Sequence, residues 1–251
     1  MKNDVITEEF KIAHERLVDA CTGRSWRDID EDPEHPETIQ AMQIALNMPK
    51  QDPPSRTELL ESAARAVVAV CLDEQAGQEG FFAKSLGDWY GHRIRKVARR
   101  ARNKAWDDVQ GLAGATINNQ ARAFIPSAVK DVHPLIAKLQ IGHTDMVHDE
   151  PGAPEQNAPV IYVDDALEMT AGKAAAQVGH GSMLFAASLT TEQAWEWAQR
   201  DYALSVREVS REVFNQALAV DGAVVIRDAG YTEVAPDSAT VVAVPQPVES
   251  A

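Results

Sequence analysis

Three observations predict an α/β fold. Between residues 159 and 247, apolar runs with strand character alternate with stretches of helical period, in the order strand, helix, strand, helix, strand, turn, strand. Glycine, proline, aspartate and capping residues punctuate the changes, as at Thr170, Gly222 and the turn Arg227-Asp228-Ala229-Gly230. At 45% apolar and 25% charged residues over 251 positions, the composition is that of a globular protein able to bury one large core or two smaller ones.

The elements follow in order. Residues 1–36 read as an acidic N-terminal arm, a short helical pattern on Phe10, Ala13, Leu17 and Ala20 followed by a charged, proline-punctuated stretch. Residues 37–141 read as an N-terminal domain, α/β or mostly helical. Its strand at Gln40 to Met48 is stopped by Pro49, Pro53 and Pro54. Ser55, with Glu58 three residues on, then caps a helix whose apolar positions are Leu59, Ala63, Ala66, Val67 and Val70. Residues 75–91 are glycine-studded and read as loop. Ile94, Val97, Ala98, Ala101 and Ala105 give an apolar stripe to a basic helix, a strand is expected near Gly114 to Ile117, and Ala128 to Leu139 is loosely helical.

Residues 142–158 read as a solvated linker. Its His143, Asp145, His148, Asp149 and Glu150 have no regular frame to fix a coordination geometry, so no metal is expected. In residues 159–247, Pro159 to Val163 is a strand and Thr170 caps a helix from Ala171. Thr190 to Arg200 and Glu212 to Val220 are helical, Leu204 to Val209 is a strand or a helix start, and Gly222–Ile226 and Thr240–Val244 are strands.

The net charge of −14 argues against a whole surface built for nucleic acid, but it is unevenly spread: Lys84 to Lys104 carries +7 and the remainder −21. Arg95, Arg99 and Arg102 are its candidate phosphate contacts, against the plain alternative of a charged surface helix in an acidic protein. Two cysteines, Cys21 and Cys71, argue against a disulfide scaffold and for a reducing cytoplasm. The longest uncharged apolar segment, Ala66 to Leu72, is far short of a membrane span, and the N-terminus lacks a signal-peptide pattern.

Chemistry concentrates in two polar sets. From a helix start at Ala171, Lys173, Gln177 and His180 share one face, and the surrounding Ala and Gly residues make that helix thin enough for a ligand to approach closely. Arg227, Asp228 and Thr232 stand at the end of another strand. Sites in α/β sheets gather at the carboxyl ends of strands, so the two sets can share a crevice. Taken alone, the stripe also reads as a wet helix face, and Asp228 as a turn carboxylate.

Both sets sit in longer patterns. Met169, Gly172, Lys173, Gln177, His180 and Gly181, followed by Ile226-Arg227-Asp228-Ala229-Gly230, Thr232-Glu233, Pro236 and Thr240-Val241, closely resemble in spacing and order the second type of peptidyl-tRNA hydrolase, in a longer bacterial version with an N-terminal extension. The resemblance covers about residues 158 to 247. It implies a three-layer domain with a mixed four-stranded sheet flanked by helices. The activity it implies is cleavage of the ester between peptide and tRNA, without metal or other cofactor and without a membrane partner. The family's active-site residues fall on Lys173, Gln177, His180, Asp228 and Thr232. Where relatives often carry a basic residue after the first strand, this chain has Val163-Asp164-Asp165-Ala166-Leu167.

Those residue types suit the reaction. Ester hydrolysis needs a base for water, donors for the oxyanion and cations for phosphates. His180 or Asp228 is the base, the two expected to form a hydrogen-bonded pair; Lys173 holds an anion at the helix start, and Thr232 and Gln177 donate. Arg227 is a further substrate contact. Ser182 lies off the polar stripe, so water attacks directly.

The first half also reads as a worn copy of the second. A shift of 108 residues brings Trp106 onto Phe214, Gly114 onto Gly222 and Ala115 onto Ala223, with Gln120 at the place of Asp228. Such a copy would hold tRNA and replace a homodimer by an intramolecular pseudo-dimer. The rival readings are a non-catalytic tRNA-binding or ribosome-rescue accessory protein and a protein-interaction module.

Overall fold

The computed structural model describes residues 5–22, 29, 31, 34–228 and 233–248. Helix α1 (Glu8–Thr22) opens the chain and buries Phe10, Ala13, His14 and Leu17, so the first part of the expected arm belongs to the core. Strand β1 (Gln40–Asn47) follows, then α2 (Arg56–Cys71). Ser55 Oγ accepts from the Glu58 amide at 3.2 Å and the Glu58 carboxylate from the Ser55 amide at 3.0 Å, a reciprocal cap.

Two expectations for the next stretch are corrected. The glycine-studded loop contains helices α3 (Glu74–Gly77) and α4 (Phe81–Tyr90), where Phe82, Leu86 and Trp89 share a buried face despite Gly87. The basic helix is instead an edge strand, β2 (Lys96–Ala101), parallel to β1 with Met42 opposite Lys96 and Ala45 opposite Arg99. Its apolar residues satisfy either period. Pairing with buried β1 decides for the strand, and its charges suit an edge.

Helix α5 (Lys104–Asp108) covers the outer face through Trp106; strands β3 (Gly114–Ile117) and β4 (Ala121–Phe124) and the short β5 (Ser127–Ala128) complete the first sheet. Only Pro134–Ala137, α6, is α-helical in the stretch read as loosely helical. The N-terminal part is therefore α/β.

The second sheet comprises β6 (Val160–Asp164), β7 (Ser205–Val209), β8 (Val224–Arg227) and β9 (Ala239–Val244). Helices α7 (Ala171–Ser188), α8 (Thr191–Gln199) and α9 (Arg211–Leu218) flank it. The two sheets have one plan. Their orders are β2-β1-β4-β3 and β7-β6-β9-β8, with a parallel first pair and antiparallel pairs thereafter. Phe214 of α9 is buried over the outer face of the second sheet as Trp106 is over that of the first.

Helices α2 and α7 meet between the sheets in the most extensive helix–helix contact of the molecule. Small residues allow it. A Cβ on Gly179 would stand 2.9 Å from Val67 Cγ2 and 3.3 Å from Lys96 Cδ. The thin side of α7 therefore faces α2 and β2, which corrects the reading of the Ala and Gly residues as room for a ligand to approach. A single core runs from Leu17 and Val67 to Val178 and Val241. Arg56, 2% exposed, also ties the halves together: it donates to Glu208 at 2.6 and 2.8 Å and to Met169 O at 2.7 Å. The segment expected to be a solvated linker is pinned as well, for Asp149 accepts from the Thr57 amide at 2.9 Å and Thr144 from Gly172 at 3.1 Å. No helix among the described residues is long and apolar enough to cross a membrane.

Candidate active site between the two sheets

Residue parity along β8 aims the first functional group. Val224 and Ile226 join the central core under α7, whereas Val225 faces α9, so Asp228 continues the α7 side. The Asp228 amide donates to Ser238 O at 2.9 Å, and its carbonyl accepts from Asp237 at 2.7 Å, which clamps the base of the loop. Across from it, Thr170 caps α7 by accepting from the Lys173 amide at 3.2 Å. Glu233 holds that cap from the loop side, accepting from Thr170 N at 2.9 Å and Thr170 Oγ1 at 2.8 Å.

These anchors bring the polar sets together. Lys173 Nζ donates to Asp228 Oδ2 in an ion pair whose side chains are only 11% and 8% exposed. Gln177 Nε2 donates to the same oxygen at 2.7 Å, and Thr240 Oγ1 donates to Gln177 Oε1 at 2.7 Å. The chain Thr240, Gln177, Asp228, Lys173 thus fixes the carboxylate from two sides. Thr240 reaches Gln177 because of a β-bulge. Ile226 is paired with Val241 but Arg227 with Ala239, which leaves Thr240 as the extra residue and turns it out of strict alternation.

One turn further along α7, His180 has a different neighbour from the one expected. Its Nδ1 lies 3.0 Å from Lys96 Nζ of β2 in the first sheet, so the imidazole is oriented by a lysine and not by Asp228. Burial, then the charges of Lys96 and Lys173, push the His180 pKa well below the usual imidazole value. Burial also lowers the Lys96 ammonium to about 8. Neutral imidazole is therefore the resting form at physiological pH.

Lys173, Gln177, His180, Asp228, Arg227 and Arg95 all line one cavity of about 1360 Å³ between the two sheets, and so does Lys96. Arg227 is exposed and donates to Asp237 O at 2.9 Å. Arg95 pairs with Glu31 at 2.5 Å. Arg99 and Arg102 do not line the cavity: Arg99 donates to Gln43 Oε1 at 2.7 Å and Leu139 O at 3.0 Å, and Arg102 to Met48 O at 2.6 Å. Thr232 lies outside the described residues. Asp164, at the departure from the family pattern, accepts from the Ala166 amide at 3.2 Å and pairs with Arg211 at 2.7 Å.

Two residues of this constellation were not singled out from the sequence. Thr240 lies within the quoted pattern, but its aim depends on the bulge. Lys96 belongs to the basic segment, where a helical reading puts it in solvent; only strand parity, with Lys96 and Ala98 turned to the core, reveals it.

The arrangement offers a fixed carboxylate, two lysine ammonium groups and a neutral imidazole in a cleft with largely apolar walls. Residues 158–251 match the family model described as peptidyl-tRNA hydrolase PTH2. No curated protein and no solved structure matches the chain.

Proposed function

We propose that this chain, whose residues 158–251 match the peptidyl-tRNA hydrolase PTH2 family model, is a member of that family, hydrolyses the ester joining a peptide or blocked amino acid to tRNA and acts in the cytoplasm on stalled translation products. The observation that carries the reading is the ion pair of Lys173 with Asp228, buttressed by Gln177 and Thr240, at the carboxyl end of β8.

Water is the nucleophile. The Asp228 carboxylate takes its proton as the oxygen adds to the ester carbonyl. Lys173 and the Thr232 hydroxyl stabilise the oxyanion, and Gln177 keeps Asp228 in register. His180 donates a hydrogen bond from its neutral ring to the leaving ribose oxygen, and the proton that Asp228 took from water passes to that oxygen as the ester bond breaks, which regenerates the carboxylate. Arg95 and Arg227 attract the phosphates of the tRNA end. The partner helix that covers α7 is α2 of the same chain, which supports an intramolecular pseudo-dimer.

Release of N-blocked amino acid from tRNA, measured for the parent and for Asp228→Asn with EDTA present throughout, tests the assignment. A fall in kcat of about 10²–10⁴ is expected. Binding of the substrate without release by the parent would move the chain to the non-catalytic tRNA-binding reading, and an Asp228→Asn variant within a few-fold of the parent would remove Asp228 from the chemistry.

A further inference from the structure

Lys96 is a charged residue in a place where stability alone gives no reason for one. Its residue is 8% exposed, and among the described residues it has no carboxylate partner. Its Nζ meets His180 Nδ1 at 3.0 Å and Met183 Sδ at 3.5 Å, and it sits 4.9 Å from the centre of the Trp89 ring. The other titratable groups that act on it are Cys21 and Cys71, from α1 and α2. Burying an ammonium without a counter-ion is unfavourable, and a methionine would fill the same space beside Met183 and Trp89. The site, in contrast, gains from it. An ammonium has only hydrogens to offer, so Nδ1 must accept.

We infer that Lys96 is a positioning residue, lent by the N-terminal sheet to the site on α7, whose ammonium holds His180 in the tautomer with its proton on Nε2. The inference rests on the hydrolase reading for its catalytic meaning. Nε2 makes no hydrogen bond to the described residues, and His180 lines the cavity, so this nitrogen is the one left for substrate. His180 is thereby a donor to the leaving ribose oxygen, not a competing acceptor for the proton of the attacking water, which leaves that proton to Asp228. The degenerate half then has a stated part in the reaction: it supplies the group that decides which ring nitrogen carries hydrogen.

Nitrogen-15 NMR of histidine-labelled protein at pH 7 tests this directly, with parent, Lys96→Met and Lys96→Arg. The parent is expected to show an unprotonated Nδ1 and a protonated Nε2 at His180. Lys96→Met mixes the tautomers and lowers kcat for blocked aminoacyl-tRNA by about 10²-fold, with KM within about twofold of the parent because no substrate contact is removed. Lys96→Arg keeps a cationic donor and restores the tautomer. A parent with its proton on Nδ1, or Lys96→Met with an unchanged tautomer and kcat within threefold, would overturn the inference. The spectrum is read on free protein, so a chain that proves not to cleave peptidyl-tRNA would refute the hydrolase reading and still leave the tautomer measurement decisive.

Discussion

At the cap of α2 the side chain of Glu58 reaches back to the Ser55 amide, whereas at the same place on α7 Lys173 reaches forward to Asp228. One helical turn on, Ser62 Oγ donates to Gln120 Oε1 at 2.7 Å where Gln177 accepts from Thr240. Strand register makes the correspondence firm: Ile117 lies opposite Ala121 as Ile226 lies opposite Val241, so Gln120 occupies the place of Thr240, and Asn119 that of Asp228. The constant shift of 108 that sets Gln120 on Asp228 therefore misses by one residue before the turn, where Ile117 matches Ile226, and by twelve after it, where Ala121 matches Val241. In the first half Asn118 and Asn119 make a tight hairpin with φ of 49° and 55°. In the second half a long loop replaces it, and that loop carries Asp228. The topology and the helix pairing are the same with either connection; the carboxylate that pairs with Lys173 is found only with the longer one. The first half nevertheless contributes Lys96 to the candidate site of the second.

The sharpest break of this comparison is at the matched cap positions. Lys173→Met leaves a mostly buried carboxylate without its cation, and kcat/KM for blocked aminoacyl-tRNA should fall by about 10²–10³. Glu58→Ala loses only half of a capping box, so activity should stay within about twofold and stability should drop by about 1 kcal/mol in urea unfolding. Equal losses of activity at the two positions would mean that the halves are functionally alike.

Lys96 predicts a gain where most substitutions give a loss. Its folded pKa, about 8, lies below the ordinary lysine value of 10.5. Between those values the unfolded chain binds more protons, so the parent is stabilised by rising pH through this window and carries its full penalty below it. Lys96→Met should therefore be more stable than the parent at pH 7 by up to about 3 kcal/mol, with the gain shrinking as pH rises from 8 towards 10.5. Greater stability joined to a lower kcat is the signature of a functional burial. Thermal unfolding at a series of pH values measures it, and a variant less stable than the parent at pH 7 would show that the ammonium is well accommodated.

The basic segment separates binding from support. Arg95 lines the cleft, so Arg95→Glu should raise KM for peptidyl-tRNA about tenfold and flatten its salt dependence. Arg99→Glu and Arg102→Glu should instead leave KM within about twofold and lower stability, because these guanidinium groups hold Gln43 of β1, the Met48 carbonyl just after it and the Leu139 carbonyl. A common effect of all three on KM would restore the single phosphate-binding face that the sequence suggests.

Much of the fold is legible in the sequence. The capped helices at Ser55 and Thr170 and the strands at Gln40 and Val160 follow from local rules of capping and alternation, and the shared face of Lys173 and Gln177 from helical spacing, whereas the choice of Asp228 as their partner is what the family resemblance implies. What escaped depends on tertiary pairing. The run Lys96–Ala101 fits a helix stripe and a strand equally well, and only its partner β1 selects between them. Helix α4 is interrupted by Gly87 in sequence but completed by the burial of Phe82, Leu86 and Trp89. The His180 to Lys96 contact joins residues 84 apart across two sheets, which no local pattern encodes.

The smallest expected effect lies at the hydroxyls that correspond across the two halves. Both Thr240 and Ser62 are fully buried, each with a side-chain hydrogen bond of 2.7 Å to an amide oxygen. Ser62→Ala and Thr240→Val should each cost about 1–2 kcal/mol, since an amide oxygen loses its donor in a dry place. Only Thr240→Val should reach the reaction. The Gln177 amide, no longer held at its oxygen, can rotate and present the wrong end to Asp228, so kcat should drop by about three- to tenfold, the equivalent of one neutral hydrogen bond. Ser62 bonds Gln120 and holds no carboxylate of the candidate site, so the kcat of Ser62→Ala should match the parent at a temperature where both are folded. A kcat loss at Ser62 equal to that at Thr240 would mean that the hydroxyls act on activity through stability alone, and the bulge that aims Thr240 at Gln177 would then be a packing feature.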